Sequence, residues 1–168
     1  MISGIENLRA MFGVFHDGDL RFHGEQDGAL DFEIGILYLA ERVNPAYKSF
    51  SLRLSKPRRF VFKPWWPEGH ALHGTSIEGD SLFSHELEIL YARLEGNGMS
   101  ISCNANTDAD FRGGDLYLEA ESAVVLDEGS KEYSLDELIS LCQGYWRDWK
   151  SKHSQRRANA TGADNSNE

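Results

Sequence analysis

Histidines and carboxylates are the side chains here best suited to acid–base or metal chemistry, and two stretches bring them together. Phe15-His16-Asp17 sets an imidazole beside a carboxylate. Such a pair serves as general base and orienter, or as metal ligands. On an extended chain, however, neighbouring side chains point to opposite sides, so His16 and Asp17 are not expected to share a site. The competing reading makes Phe15 a core residue, His16 a backbone partner at a strand entrance, and Asp17-Gly18 a turn. The second stretch is residues 64–80, where Glu68, His70, His73, Glu78 and Asp80 lie within thirteen residues. Imidazole and carboxylate together suit zinc or another divalent ion. His16, His70 and His73 are therefore the candidate ligands of a metal-dependent hydrolase, or of a small-ligand-binding protein using the same loop. The spacing matches no compact zinc module, and the plainer reading is a polar surface loop.

Trp65-Trp66 stands between Pro64 and Pro67 in that loop. Tryptophan is a rigid, amphipathic anchor at protein interfaces, and flanking prolines limit how such a pair turns inward. With Glu68, Glu78, Asp80, Asp108, Asp110 and Asp115 the two rings define a candidate partner-binding surface: carboxylates around an aromatic tip. Cys103 and Cys142 are too few for a disulfide framework and are read as buried thiols. No phosphate-binding loop, dinucleotide glycine fingerprint, Gly-x-Ser-x-Gly or zinc-type cysteine pair occurs in the sequence. No cofactor is expected.

The elements that must carry these residues follow from periodicity. Ser3 with Glu6 fits a capping box, and Ile5, Leu8 and Phe12 recur at helical spacing up to Gly13. Asp19–His23 reads as a strand, with turn residues Glu25-Gln-Asp-Gly28. From Leu30 to Leu39 apolar and polar residues alternate as in a half-buried strand, its far end apolar on both faces. Phe50, Leu52 and Leu54 mark another strand. Lys56-Pro57 interrupts it before Phe60 and Phe62 resume, which suggests an edge or bulge. Residues 84–94 fit strand or helix, and the Glu95-Gly-Asn-Gly98 turn decides for strand. Further strands are read at 99–104 and 115–126. Ser134-Leu-Asp-Glu137 is a capping box opening a helix whose stripe is Leu135, Leu138, Ile139, Cys142, Tyr145, Trp146 and Trp149.

Charge is segregated along the 168 residues. Residues 1–41 carry a net −6, residues 42–63 a net +7, residues 64–146 a net −13 and residues 147–168 a net +2, for −10 in all. An acidic total repels phosphates and argues against unspecific nucleic-acid binding. The basic block reads as a strand pair complementing acidic neighbours. The longest apolar run, 34–40, is too short to span a bilayer, and residues 1–6 have neither basic nor apolar leader character.

The stretch Phe12-Gly-Val-Phe-His-Asp-Gly-Asp-Leu resembles the entry motif of small bacterial immunity-type domains. Those carry a Phe-His-Asp triplet before a first strand and hairpin. The matching residues are Phe15, His16 and Asp17, followed by the strand from Leu30, with Phe12 as the preceding aromatic and no matching proline. The resemblance covers the first forty residues. It implies a β-rich domain that binds and neutralises a toxin, commonly a nuclease.

The expectation is a single α+β domain over 1–153, with a disordered polar tail over 154–168. Its sheet is mostly antiparallel, curved or barrel-like, of about seven strands. A short N-terminal and a long C-terminal helix accompany it. Functionally the chain is expected to be a cytoplasmic, non-enzymatic acidic protein that occludes the active site of a basic toxin. The partner is thus a protein rather than nucleic acid or membrane.

Overall fold

The computed structural model describes residues 1–78, 86–106 and 111–162, without the side chains of Glu78, Asn106 and residues 154–162. The fold is α+β with a mostly antiparallel sheet. Among the described residues the sheet has eleven strands rather than seven, and it is strongly bent but not closed into a barrel.

The bend has a definable origin. Strand β4 (Ser49–Ser55) pairs with β10 (Ser122–Asp127), ending at Ser55 opposite Ser122. Strand β5 (Arg59–Pro64) pairs with β9 (Gly113–Glu119), starting at Arg59 opposite Glu119. These are one long pair of strands turned together at a corner. Lys56-Pro57 turns one chain, with Lys56 at φ 50°, and Ala120-Glu121 turns the other. The corner amides stay bonded, Glu121 N to Ser55 O (3.1 Å) and Arg58 N to Glu119 O (2.8 Å). Proline cannot donate to a ladder, so the break falls where no ladder bond is needed.

Beyond the corner, one half of the sheet continues from β4 to β3 (Ala29–Gly35) and β2 (Asp19–Gln26). The other half continues from β9 to β8 (Gly98–Asn106) and β7 (Glu86–Glu95). Within the open strand order a two-residue pairing, Asp19 and Leu20 of β2 with Glu88 and Leu87 of β7, links the two halves. Strand β1 (Ile2–Ser3) ends the order at β10, β6 (Ile77–Glu78) ends it at β5, and β11 (Glu132–Tyr133) pairs with β10 off that path. The concave side is filled with side chains. The Phe60 ring lies 5.7 Å from both Phe22 and Phe32, and Phe50, Phe62, Ile89, Met99 and Ile101 are fully buried. Replacing one such phenylalanine by alanine costs about 3–5 kcal/mol.

Three local readings are corrected. The strand expected through Leu39 stops at Gly35, and Leu37–Val43 is helix α2. Ile36, Leu39 and Ala40 are buried while Leu37 is exposed, which is helical rather than two-residue periodicity. Helix α1 (Ile5–Val14) runs through Gly13, and its N-cap is Gly4 without a side-chain cap. Ser3 belongs to β1, where its carbonyl accepts from Asn7 Nδ2 (2.8 Å), so the Ser3/Glu6 box does not form. The Asp27-Gly28 turn does form as read, with φ of 54° and 70°, as a two-residue hairpin loop requires.

Helix α3 (Leu135–Gly162) opens on the expected reciprocal cap: Ser134 N donates to Glu137 Oε2 (2.8 Å) and Glu137 N to Ser134 Oγ (3.3 Å). Its backbone continues past Ser154 to Gly162, and 163–168 lie outside the described residues. Leu138 is fully buried, and Leu135, Ile139, Leu141, Cys142 and Tyr145 pack on the core. Arg42 of α2 reaches Asp148 of α3 at 2.8 Å, crossing at Gly144, where an added Cβ would lie 3.1 Å from its Nη2. No helix among the described residues is long and apolar enough to cross a membrane.

Candidate functional site

The convex face of β7, β8, β9 and β5 carries a connected group of polar and aromatic side chains. Cross-strand register brings Tyr91 opposite Ser102, Ser102 opposite Asp115, and Ser100 opposite both Arg93 and Tyr117. A bulge between Ile89 and Tyr91 puts Tyr91 and Arg93 on this face. Asp115 is the hub. Its Oδ1 accepts from Ser102 Oγ at 2.5 Å and meets Arg93 Nη2 at 3.5 Å, and its Oδ2 accepts from Trp65 Nε1 at 3.0 Å. Arg93 also donates to the Tyr91 hydroxyl (3.1 Å). Beside them Arg59 stacks over the Tyr117 ring at 4.5 Å, and the Tyr117 hydroxyl bonds Glu119 Oε1 at 3.1 Å. Burial and Glu119 together raise the Tyr117 phenol above its ordinary value.

Trp65 is fixed at both ends of its residue. Its backbone N donates to Gly113 O (2.7 Å) while its indole N–H is held by Asp115. Its ring lies over Gly113, where an added Cβ would sit 3.0 Å from ring atom Cε3 and inside the contact radius of the Cys103 carbonyl. The ring is nonetheless 42% exposed, and Tyr91 is 51% exposed. An aromatic held rigid yet open to solvent is pre-organised for contact.

Trp66 turns the other way. It packs edge-on against Phe111 (5.4 Å) and stacks on the His70 ring (4.5 Å, 4°). Its indole N–H is buried, with no hydrogen-bond partner among the described residues. The prolines thus split the pair, one ring over the sheet end and one outward. His70 Nδ1 accepts from Leu72 N at 3.2 Å, and His73 is exposed on the same loop.

His16 lies elsewhere, after α1. Its Nδ1 meets Asp17 Oδ1 at 2.6 Å, and its carbonyl accepts from the Tyr38 hydroxyl at 2.9 Å. The two side chains do meet, against the extended-chain expectation, because Asp17 adopts φ 66°. Phe15 is buried as read. His16 thus has Asp17 and Tyr38 as partners, whereas His70 has Trp66 and Leu72. Among the described residues no group of three or more His, Cys, Asp or Glu side chains gathers as metal ligands.

Of the expected partner-binding residues, the structure joins Trp65 to Asp115. Glu68 is exposed on the loop three residues after Trp65, and Glu78 is placed by its backbone in β6. Asp80, Asp108 and Asp110 lie outside the described residues. Sequence reading missed Arg93, Ser102 and Tyr117, which are scattered over three strands and converge only by register. The pair Gly113-Gly114 was the available signal: both glycines make room for an aromatic ring, Trp65 at one and Phe62 at the other.

Chemically the cluster holds the guanidinium groups of Arg93 and Arg59, aromatic rings and a saturated carboxylate. Ser102 is completely buried and its hydroxyl is engaged, so it is no accessible nucleophile. Cys103, beneath this face, is fully buried, and burial pushes its thiol up. Cys142 is half-buried, and burial likewise raises it. Comparison of the chain with family models, with curated proteins and with solved structures found no match.

Proposed function

We propose that this chain is a non-enzymatic acidic binding protein, and that it docks a cationic protein partner through the face around Trp65. The observation that carries the reading is Trp65 itself, exposed yet locked by Asp115 and Gly113. Tyrosine, tryptophan and arginine are the residues that dominate binding energy at interfaces, and Tyr91, Arg93 and Tyr117 surround it. Locking the ring before contact reduces the entropy lost on association. A net charge of −10 steers a cationic partner toward the molecule and raises the on-rate. Glu95 beside Arg93 and Glu119 beside Tyr117 supply carboxylates at the rim. Occluding the substrate groove of a basic toxin, as an immunity protein does, is the form of action this combination suits.

The test is capture on immobilised protein from the native cell. A basic protein retained by the wild type and lost with Trp65→Ala and Tyr91→Ala supports the reading. Retention unchanged by both substitutions refutes it. The His16–Asp17 contact at 2.6 Å favours a second reading, a metal-dependent hydrolase. A stoichiometric metal in the purified protein, lost in His16→Ala, would replace the first reading by the second.

A further inference from the structure

We propose that two copies of this chain pair through α3, antiparallel and about a two-fold axis near Gln143. The inference is independent of the Trp65 face and starts where the helix leaves the body. The stripe that packs Leu135, Leu138, Ile139, Cys142 and Tyr145 onto the core continues as Trp146, Trp149 and His153. Trp146 and Trp149 stay 40% and 42% exposed. Tyr38 stacks near Tyr145 (4.4 Å) and reaches the edge of Trp146 (6.2 Å). The ring neighbours of Trp149 are Trp146 and His153, both of its own helix.

Spacing supplies the seam. Asp136, Ile139, Gln143, Trp146, Lys150 and His153 recur at alternating intervals of three and four residues, the periodicity by which two helices pack side by side. All but the half-buried Ile139 are exposed. The seam lies beside the buried stripe and shares Ile139 with it.

Charge then selects the occupant and its direction. Asp136 and Glu137 open the helix, whereas Arg147, Lys150 and Lys152 follow three to four turns later. Glu137 is paired with Lys131 and Asp148 with Arg42. Asp136 and Lys150 form no ion pair with another described residue of the chain. Pairing α3 antiparallel about Gln143 sets residues equally far on either side of it against one another. Asp136 of one copy then faces Lys150 of the other, and Trp146 of one packs by Ile139 and Ser140 of the other. A parallel pairing would oppose Lys150 to Lys150 and Asp136 to Asp136. The same antiparallel arrangement lays residues 147–162, net +4, along a body whose residues 1–146 carry a net −12. A second copy therefore covers the exposed Trp146 ring and pairs the Asp136 and Lys150 charges.

The contact is small beside a standard interface of about 1,200–2,000 Å², so a concentration-dependent equilibrium is expected. The experiment is sedimentation velocity with light scattering on the full chain up to about 100 μM, in the range where micromolar association is read. The wild type is expected to pass from 19.0 kDa to twice that mass as concentration rises, and to revert in high salt. Trp146→Glu, Asp136→Lys and Lys150→Asp are each expected to remain monomeric with unchanged far-UV circular dichroism. The double reversal D136K/K150D is expected to restore the dimer. A wild type that stays at the monomer mass throughout overturns the proposal. So does a double reversal that folds but does not dimerise.

Discussion

Removing the Asp115 carboxylate should cost more stability than removing any one of the groups that bond to it. The Ser102 hydroxyl is completely buried and donates to Asp115 at 2.5 Å. In Asp115→Ala it loses its acceptor where water cannot easily replace it, a penalty of about 1–3 kcal/mol. The Arg93 contact at 3.5 Å joins side chains 46% and 26% exposed, so its loss adds about 0–1 kcal/mol. The indole N–H of the exposed Trp65 is rehydrated at little cost. The total is about 1–4 kcal/mol, which for a chain of this size lowers Tm by roughly 2–16 °C. Ser102→Ala behaves differently, because it removes donor and acceptor together and leaves a carboxylate that solvent still reaches. Ser102→Ala and Trp65→Phe should each cost about 1 kcal/mol or less. Urea unfolding followed by far-UV circular dichroism measures all three, and equal m-values license the comparison. In the Ser102→Ala background, Asp115→Ala should lose most of its effect, a coupling of about 1–2 kcal/mol. Strict additivity, or an Asp115→Ala no worse than Ser102→Ala, would refute the hub assignment.

Three further outcomes follow from the same geometry. Gly114→Ala should destabilise by about 1–3 kcal/mol or more through overpacking, because its Cβ would lie 2.6 Å from the Lys63 carbonyl and 2.8 Å from Phe62 Cε2; a Tm within error of wild type would contradict the packing. The Ser134 amide, with Lys131 and the Ser134 hydroxyl, lowers the Glu137 carboxyl from 4.5 to about 2. Its folded value lies below its unfolded one, so the stability it lends is complete above pH 4.5 and disappears as pH falls toward 2. The Tm gap between wild type and Glu137→Gln should therefore be level at neutral pH and close across that window, and a gap that persists at pH 2 counts against the cap. A thiol reagent at neutral pH should label Cys142 before Cys103, which burial keeps protonated; equal rates would show that Cys103 is not enclosed.

The parts of the fold legible in the sequence are those whose signals are local. Asp27-Gly28 and Glu95-Gly96-Asn97-Gly98 place two hairpins, because a two-residue turn needs residues that tolerate positive φ, and Asp27, Gly28 and Gly96 adopt it. Ser134 and Glu137 place the start of α3, since the cap is made by residues three apart. Reading failed where two periodicities overlapped. Ile34, Ile36, Tyr38 and Leu39 satisfy alternation as well as helical spacing, and only the packing of Leu39 and Ala40 into the core decides between them. Strand count and closure were illegible for another reason. Lys56-Pro57 announces an interruption, but the matching turn at Ala120-Glu121 carries no proline or glycine, so nothing local says that both strands bend together.

The candidate site shows the same division more sharply. Trp65 and Asp115 belong to one expected surface, one as its aromatic and one among six acids, but nothing local in the sequence says that these two, fifty residues apart, are bonded at 3.0 Å. What joins them is the register of β5 against β9, in which Pro64 falls opposite Gly114 and Trp65 N reaches Gly113 O. A shift of one residue would send Asp115 into the core and Leu116 to the surface. Burial of Leu116 and Leu118 thus selects the register that holds the carboxylate under the indole. The core of the bent sheet, rather than the loop alone, positions the ring. A substitution that slips this pairing should therefore abolish partner capture even with every residue of the convex face intact.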